Sequence, residues 1–313
     1  WRRFDATWMR ILRRAVFGDP ARDDERIIDL MESLRSEGNW AWFGRDRSAL
    51  REELHDRIRH YIDRAEPGSL VAHLATMVKT EQDRPEHQVP QWLFAFDPAG
   101  MTVFRALALL SAHPDALPRA MDEVAGGAVG RPHRPFLRAT ILEALRLWPT
   151  TPMILRQTTR DVPWLGGTMP KDTGVLIYAP LLHRDDRRLP HAHSFHPDLW
   201  IEDDPQVQGF PPKTAGFFPF SGGPAHCPGQ NLVLMLTSGM LSAMLSRAQF
   251  RLINPQRLPV GKLPGTLDHF TLRFHVARRS STPVTPAPPT DASSTASCPH
   301  AMESAGTDTA DRR

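Results

Sequence analysis

The sequence predicts a mainly α-helical fold with minor β-structure, formed by one domain over residues 1–279. Three observations favour it. Apolar residues recur at helical spacing through most of the first 150 residues, short turn-bounded β-branched segments follow, and a long apolar stretch near residue 235 resumes the helical pattern. The chain has 313 residues, 41% hydrophobic and 23% charged, which suits a globular protein with a sizeable buried core.

Proline and glycine residues divide the helical part of the chain. We expect helices within 5–35, broken at Gly18-Asp19-Pro20, at about 47–65 and from Ser69, then a polar loop at 82–88. The following elements are a long central helix from about Pro90 to Ala112, a helix from Pro114 to about Val124, a glycine-rich loop at 126–132 and a helix from Pro135 that ends before Pro149.

The pattern changes after Pro149. The segments MILRQTT and GVLIYA predict short strands and turns between Met153 and Ile177, and residues 183–219, rich in His, Asp and Pro, predict an extended, ordered meander. A second long helix at Gly229–Ser246 and closing strands at Phe250–Ile253 and Leu267–Phe274 follow. Residues 280–313 are dominated by Pro, Ser, Thr and Ala, which predicts a disordered tail that includes Cys298.

Charge and cysteine usage narrow the class of protein. The net charge is only +3, so nothing requires a nucleic acid partner. The basic pairs Arg2-Arg3, Arg13-Arg14 and Arg278-Arg279 predict solvated faces, or a basic face that docks an acidic electron donor. Two cysteines make no disulfide framework, which favours the cytoplasm.

The most apolar stretch, WLFAFDPAGMTVFRALALL, is interrupted by Asp97, Pro98 and Arg105, which argues against a membrane span. The chain opens at Trp1 inside a predicted helix, so we expect an N-terminal portion to precede it.

Cys227 lies in a glycine- and proline-rich loop that leads directly into an apolar helix. A cysteine that serves only as a small buried hydrophobe is expected inside a helix or strand. A helix N-terminus, by contrast, offers unpaired N–H groups and a positive dipole end, which stabilise a thiolate. The loop therefore predicts a site that holds an anionic sulfur.

A second feature is the pair Glu143 and Arg146, three residues apart on one face of the helix from Pro135. Alone the pair indicates little, because an exposed pair of this kind contributes about 0–1 kcal/mol. The pair becomes informative through its position in the order of motifs along the chain.

Taken in order, the motifs resemble the cytochrome P450 family of haem-thiolate enzymes over roughly residues 70–275. FSGGPAHCPG is similar to the family's haem-binding signature, and EALR to its Glu-x-x-Arg motif. HRDDRRLPHAHSFHPDLW resembles the meander, and AFDPAGMT followed by HP resembles the oxygen-activating turn of the central long helix.

The resemblance implies a partial P450 fold with haem b bound through an axial thiolate, Cys227. It implies that Phe220 packs beside the sulfur, and that Gly223 and Gly229 permit close backbone approach to porphyrin and sulfur. Glu143 and Arg146 would lock the meander beneath the haem.

The resemblance also implies residues for the haem propionates. Arg156 matches a position where the family commonly has a propionate-binding arginine; the alternative is a surface strand arginine. Ala225 stands where a propionate-binding His or Arg is frequent, so His226 either takes that role or caps the loop. A missing N-terminal region would leave one haem edge open.

The central helix departs from the family pattern at its proton-delivery pair. Asp97 supplies the acid, but Ala99 occupies the position of the usual threonine, and Pro98 is expected to widen the helix. Thr102 is the one hydroxyl nearby, with back-bonding to a helix carbonyl as the simpler reading. Proton delivery would then depend on Asp97 with water, or on a substrate hydroxyl.

The meander departs from the pattern at Leu199, where the family often has an arginine that joins the Glu-x-x-Arg network. We expect Glu143 and Arg146 to find backbone partners or the side chains of His193 or His196 instead. A metal site formed by His191, His193 and His196 is the weaker alternative, because no coherent fourth ligand accompanies them.

The resemblance implies a monomeric monooxygenase that uses dioxygen and a ferredoxin-type electron donor to oxidise an apolar small molecule. Alternatives are a peroxide-using or isomerising haem-thiolate enzyme, favoured by Ala99, and a catalytically silent haem-binding or truncated protein. Phe94, Phe96 and Met101 either face the distal cavity or pack the core.

Overall fold

The computed structural model describes residues 1–38, 46–77, 80, 82–126, 134–201 and 216–279. Nine α-helices lie within these residues: α1 Arg2–Phe17, α2 Glu25–Gly38, α3 Ser48–Arg64, α4 Leu70–Met77, α5 Pro85–Ala112, α6 Ala116–Gly126, α7 Pro135–Leu147, α8 Ala179–His183 and α9 Gln230–Arg247. The mainly helical fold is confirmed. The predicted tail at 280–313 with Cys298, most of the loop at 126–132 and the later part of the meander lie outside the described residues.

In the same described residues, six short strands form three antiparallel pairs, β1 with β4, β2 with β3 and β5 with β6. The strands are β1 Met153–Gln157, β2 Val162–Trp164, β3 Gly167–Met169, β4 Gly174–Tyr178, β5 Ala248–Leu252 and β6 Phe274–Arg278. The prediction of a strand at Leu267–Phe274 is wrong. The Asp268 carboxylate accepts the Phe270 N–H at 2.9 Å and closes a short helical turn, so the strand begins only at Phe274.

Helix α5 begins earlier than predicted. Pro85 occupies its first position, where a missing N–H costs nothing, and residues 85–88 of the predicted loop 82–88 form its first turn. Glu86 is buried there because its carboxylate pairs with Arg59 of α3 at 3.2 Å. The helix also continues through Pro98 without a break, while the Trp8 indole N–H donates to the Phe96 carbonyl at 3.0 Å.

The core consists of two hydrophobic clusters that share α5. Its first half, from Val89 to Ala99, packs with α1 to α4. Its second half, from Val103 to Leu110, packs with α7 and α9. By length and composition α5 could cross a membrane, but 67% of its apolar window is buried inside the protein, as in a core helix.

One basic pair does not lie wholly on a solvated face. Arg13 of α1 is buried, with 3% of its surface exposed, and its Nε donates to the Arg22 carbonyl at 3.0 Å. The prediction for this residue is wrong because α1 turns that side towards the short helical turn at Asp19–Ala21.

Candidate cofactor site around Cys227

Residues 217–229, here called the cysteine loop, hold a partly buried thiol at the start of α9. The Cys227 N–H donates to the Phe220 carbonyl at 2.9 Å, and the His226 N–H donates to the Gly223 carbonyl at 3.0 Å. Helix α9 then begins at Gln230, with Gly229 as its N-cap. The sulfur therefore lies at the helix end that carries free N–H groups and positive dipole charge, as predicted.

Glycines in the cysteine loop leave open space. Gly223 has a φ of +62°, so its backbone requires glycine on its own account, and a Cβ added there meets nothing within 4 Å. Gly229 has an ordinary φ of −86°, and an added Cβ would lie 3.9 Å from the Cys227 sulfur, a normal contact. The chain's own packing therefore does not demand glycine at 229.

Two candidate anion-binding side chains belong to this part of the site. Arg156 is exposed on β1, and its guanidinium donates to the Ser221 hydroxyl at 3.3 Å, which brings it to the cysteine loop. The His226 side chain is exposed and its ring forms no hydrogen bond with the described residues. Phe220 is partly buried and packs against the α5–α7–α9 cluster.

Glu143 and Arg146 form a fully buried pair, with both side chains 0% exposed. The contact is bidentate, from Nε to Oε2 at 2.8 Å and from Nη2 to Oε1 at 2.6 Å. The remaining guanidinium N–H groups donate to four backbone carbonyls, those of His183, His191, Ala192 and Ser194. The prediction that this pair locks the meander agrees with these contacts.

Glu143 has two further partners in the meander. It accepts the backbone N–H of His196 at 2.8 Å and the indole N–H of Trp200 at 2.8 Å. The indole is a partner that sequence reasoning missed, although it directly follows Leu199, where the family's arginine is absent. We call Glu143, Arg146 and their meander partners the buried network.

The histidine side chains do not serve as its partners. His196 contributes its backbone, and its ring stacks on that of His191 with centroids 4.1 Å apart. His193 accepts from Arg184 at 3.3 Å. No group of three or more potential metal-binding side chains occurs in the part of the chain that the structure describes, which disfavours the metal alternative.

The proton-delivery candidates on α5, Asp97, Ala99 and Thr102, do not form a common site. The Asp97 carboxylate pairs with Arg35 of α2 at 2.7 Å, with 17% of the acid side chain exposed. The Thr102 hydroxyl instead donates to the Pro98 carbonyl at 2.9 Å, the simpler of the two predicted readings. Ala99 is buried in the α1–α5 cluster. The sequence did not predict Arg35 as the partner of Asp97, because nothing distinguishes one arginine from the others in a charged helix.

A cavity of about 200 Å³ lies beside Asp97, between α1, α2 and α5. Phe94 and Met101 line this cavity, whereas Phe96 is buried in the core. Asp5 also lines the cavity, and burial together with the charges of Asp97 and Glu32 raises the pKa of its carboxyl group.

Comparisons with known proteins agree on one family. The family model for Cytochrome P450 matches residues 79–265, a span that contains the buried network and the cysteine loop. The chain is 31% identical over 156 residues to a probable cytochrome P450 4s3 of Drosophila melanogaster, covering 49% of this chain and 30% of that protein. It is 27% identical over 281 residues to a cyclooctat-9-en-7-ol 5-monooxygenase of Streptomyces melanosporofaciens, covering 79% and 60% respectively.

The fold comparison agrees. The crystal structure of the cytochrome P450DA heme domain superposes with a TM-score of 0.67 at 19% identity, over 88% of this chain and 68% of that one. The chain thus spans less than two thirds of the length of these two curated relatives. Because the family model covers more than half of the chain, the protein belongs to the cytochrome P450 family of haem-thiolate proteins.

Proposed function

We propose that the protein is a haem-thiolate monooxygenase in which Cys227 is the axial ligand. It oxidises an apolar small molecule with dioxygen and two electrons from a ferredoxin-type donor. The observation that carries the proposal is the position of the Cys227 thiol, partly buried at the N-terminus of α9 and flanked by glycines that open the loop on one side.

The residues present fit a haem. The donor set is a single thiol, the ligand type expected for this family, at the N-terminal end of α9. Gly229 is not required by the chain's own packing, which is consistent with a glycine kept for a flat ligand next to the sulfur. Arg156 and His226 are exposed beside the loop and suit the two propionates.

When bound, the haem would supply oxygen activation, with the Cys227 thiolate as an electron-donating ligand. The chain's own residues have three tasks. Cys227 would hold the iron, Phe220 would limit water near the sulfur, and the buried network fixes the meander against which the loop packs.

Proton supply depends on Asp97 in this proposal. Its carboxylate is held by Arg35 from outside α5, so the ion pair must open before Asp97 can pass a proton inward. Thr102 is unsuited to the relay, because its hydroxyl already donates to the Pro98 carbonyl. Water or a substrate hydroxyl therefore completes the path.

The donor docks on a basic surface in this proposal. Arg187 and Arg188 are exposed on the meander. Arg187 pairs with Asp185 at 2.9 Å, whereas Arg188 forms no ion pair among the described residues, and its guanidinium lies close to Gly216, where the chain leads into the cysteine loop. An acidic ferredoxin would be attracted to this surface. The protein would act as a monomer, and a free thiol ligand suits the reducing cytoplasm.

The test is turnover by the haem-reconstituted chain under ¹⁸O₂, with a ferredoxin, its reductase and a panel of apolar substrates. Alkenols are the first probes, because the Streptomyces relative is named for one. One ¹⁸O atom per product, with electron consumption that stops when ferredoxin is omitted, is the expected result. Reconstituted haem that yields no oxygenated product with any donor contradicts the proposal.

A peroxide-using reaction is the second candidate. The observation that favours it is the absence of a free alcohol beside Asp97, since position 99 is alanine and the Thr102 hydroxyl is bound to its own helix. Peroxide-driven turnover that persists in Asp97→Asn would support it. For the monooxygenase, Asp97→Asn should lower donor-driven turnover by about 10²–10⁴-fold, as for loss of a general acid.

A further inference from the structure

His183 lies between the buried network and the cysteine loop, and neither the motifs nor the proposed chemistry assign it a role. It is the last residue of α8 and is fully buried. Its ring packs against Phe218, with centroids 4.8 Å apart, and against Phe217 at 5.8 Å.

One residue thus contacts both parts of the site. The His183 backbone carbonyl accepts from Arg146 Nη1 at 3.0 Å. Its ring Nε2 accepts the backbone N–H of Phe218 at 3.1 Å. The first bond belongs to the buried network and the second to the cysteine loop.

Backbone hydrogen bonds within the cysteine loop link Phe218 to Cys227. The Ser221 N–H donates to the Phe218 carbonyl at 3.0 Å, and the Cys227 N–H donates to the Phe220 carbonyl at 2.9 Å. A shift of Phe218 would therefore move the residues that hold Cys227.

The bond to Phe218 fixes the protonation state of the ring. Nε2 can accept an N–H only through its lone pair, so the proton resides on Nδ1, which has no partner among the described residues. A doubly protonated ring cannot accept this bond. Burial, and then the charge of Arg146, lower the pKa of His183 to about 4.

We propose that His183 is a positioning residue whose uncharged ring fastens the cysteine loop to the buried network and so keeps Cys227 in place. Its consequence for catalysis depends on the proposed function, but the contact itself does not. Protonation of the ring is expected to release Phe218 and loosen the loop.

The charged groups around His183 are consistent with a lowered pKa of its ring. Arg146 on α7 is the nearest charge, and its partner Glu143 already makes a bidentate contact with it. Arg184 adjoins His183 in the chain and is also cationic and buried, while residues 217–220 of the loop are Phe, Phe, Pro and Phe and carry no charge. Among the meander histidines, the pKa of His196 is also lowered, by its own burial and then by His191.

Amide hydrogen exchange of the ligand-free full chain tests the contact directly, at the Phe218 and Cys227 amides. The pKa of the His183 ring is about 4 when it is bonded to Phe218, and about 6.5 is expected when that bond is broken. The equilibrium constant for opening of the loop should therefore increase about 20-fold from pH 7 to pH 5, after correction for intrinsic exchange. His183→Gln keeps an oxygen that can accept the Phe218 N–H but does not titrate, so its protection should not fall.

His183→Leu removes the acceptor, and its protection at pH 7 should already be about tenfold lower. His113→Gln is the matched control, because His113 is also buried with a pKa lowered by burial but bonds to Leu109 within α5. This variant should leave the hydrogen-exchange protection of the Phe218 and Cys227 amides unchanged. If the leucine variant does not fold, the glutamine variant decides alone.

A second readout uses the haem-reconstituted chain with carbon monoxide in the reduced state. The pH at which the thiolate-type band is half lost should fall in His183→Gln and stay constant in His113→Gln. An unchanged 20-fold acid opening in His183→Gln, or full protection in His183→Leu, overturns the inference. Absence of the band from the wild-type chain counts against the proposed function and leaves the exchange result to decide the inference.

Discussion

Every side-chain nitrogen and oxygen of the Glu143–Arg146 pair has a partner inside the chain, and both residues are fully buried. Cys227, by contrast, is only partly buried, in a loop whose glycines at 222 and 223 leave open space. The buried network is complete as the chain stands, whereas the cysteine loop presents a face suited to a ligand. Stability and ligand binding should therefore respond to substitutions in different places.

The largest effect on folding is expected from Arg146→Met, which leaves the Glu143 carboxylate buried without its countercharge. Breaking a buried pair in this way costs about 3–5 kcal/mol in the free energy of unfolding. Urea denaturation of the ligand-free chain measures it. A cost below 1 kcal/mol would mean that the network is not the closed structure described.

Gly223→Ala should have the next largest effect. The position has a φ of +62° and open space around it, so the whole cost is backbone strain, about 1–2 kcal/mol. Gly222→Ala is the matched control, because it also has open space but an extended backbone. Equal costs for the two variants would contradict the assigned turn.

Arg119→Met tests burial by contrast with Arg146. Arg119 also makes a bidentate contact, to Asp198, but the two side chains are 49% and 48% exposed. An exposed pair contributes about 0–1 kcal/mol, and its effect should diminish in high salt. A cost similar to that of Arg146→Met would remove burial as the reason for the difference.

The smallest effect on folding is expected at Gly229. Its φ is ordinary and an added Cβ lies in normal contact with the sulfur, so Gly229→Ala should change the ligand-free stability by less than about 0.5 kcal/mol. Haem titration of the same variant should nonetheless show weaker binding. Unchanged haem affinity would indicate that the open face does not receive the ligand.

Local signals in the sequence predicted most of the fold. Pro135 and Pro149 bracket α7, and Gly229 of the cysteine loop directly precedes α9, so the sequence predicted both helices to within about one turn. The Glu143–Arg146 spacing and the Thr102 back-bond are also local, and both predictions agree with the structure.

Predictions failed where distant residues decide the outcome. The first turn of α5 depends on Glu86 pairing with Arg59, and Asp97 is held by Arg35, which lies 62 residues away in the chain. Glu143 gains Trp200 as a further partner because the meander folds back on α7. Neither spacing nor composition reports such contacts.

The most direct test of Cys227 as the haem ligand is the absorption spectrum of the reduced, carbon-monoxide-bound chain after haem reconstitution. We expect the red-shifted Soret band of thiolate-ligated iron, and its loss in Cys227→Ala with the ligand-free stability unchanged. Cys298→Ala is the control and should retain the band. A band that survives in Cys227→Ala, or one that never appears although haem binds, would contradict the assignment.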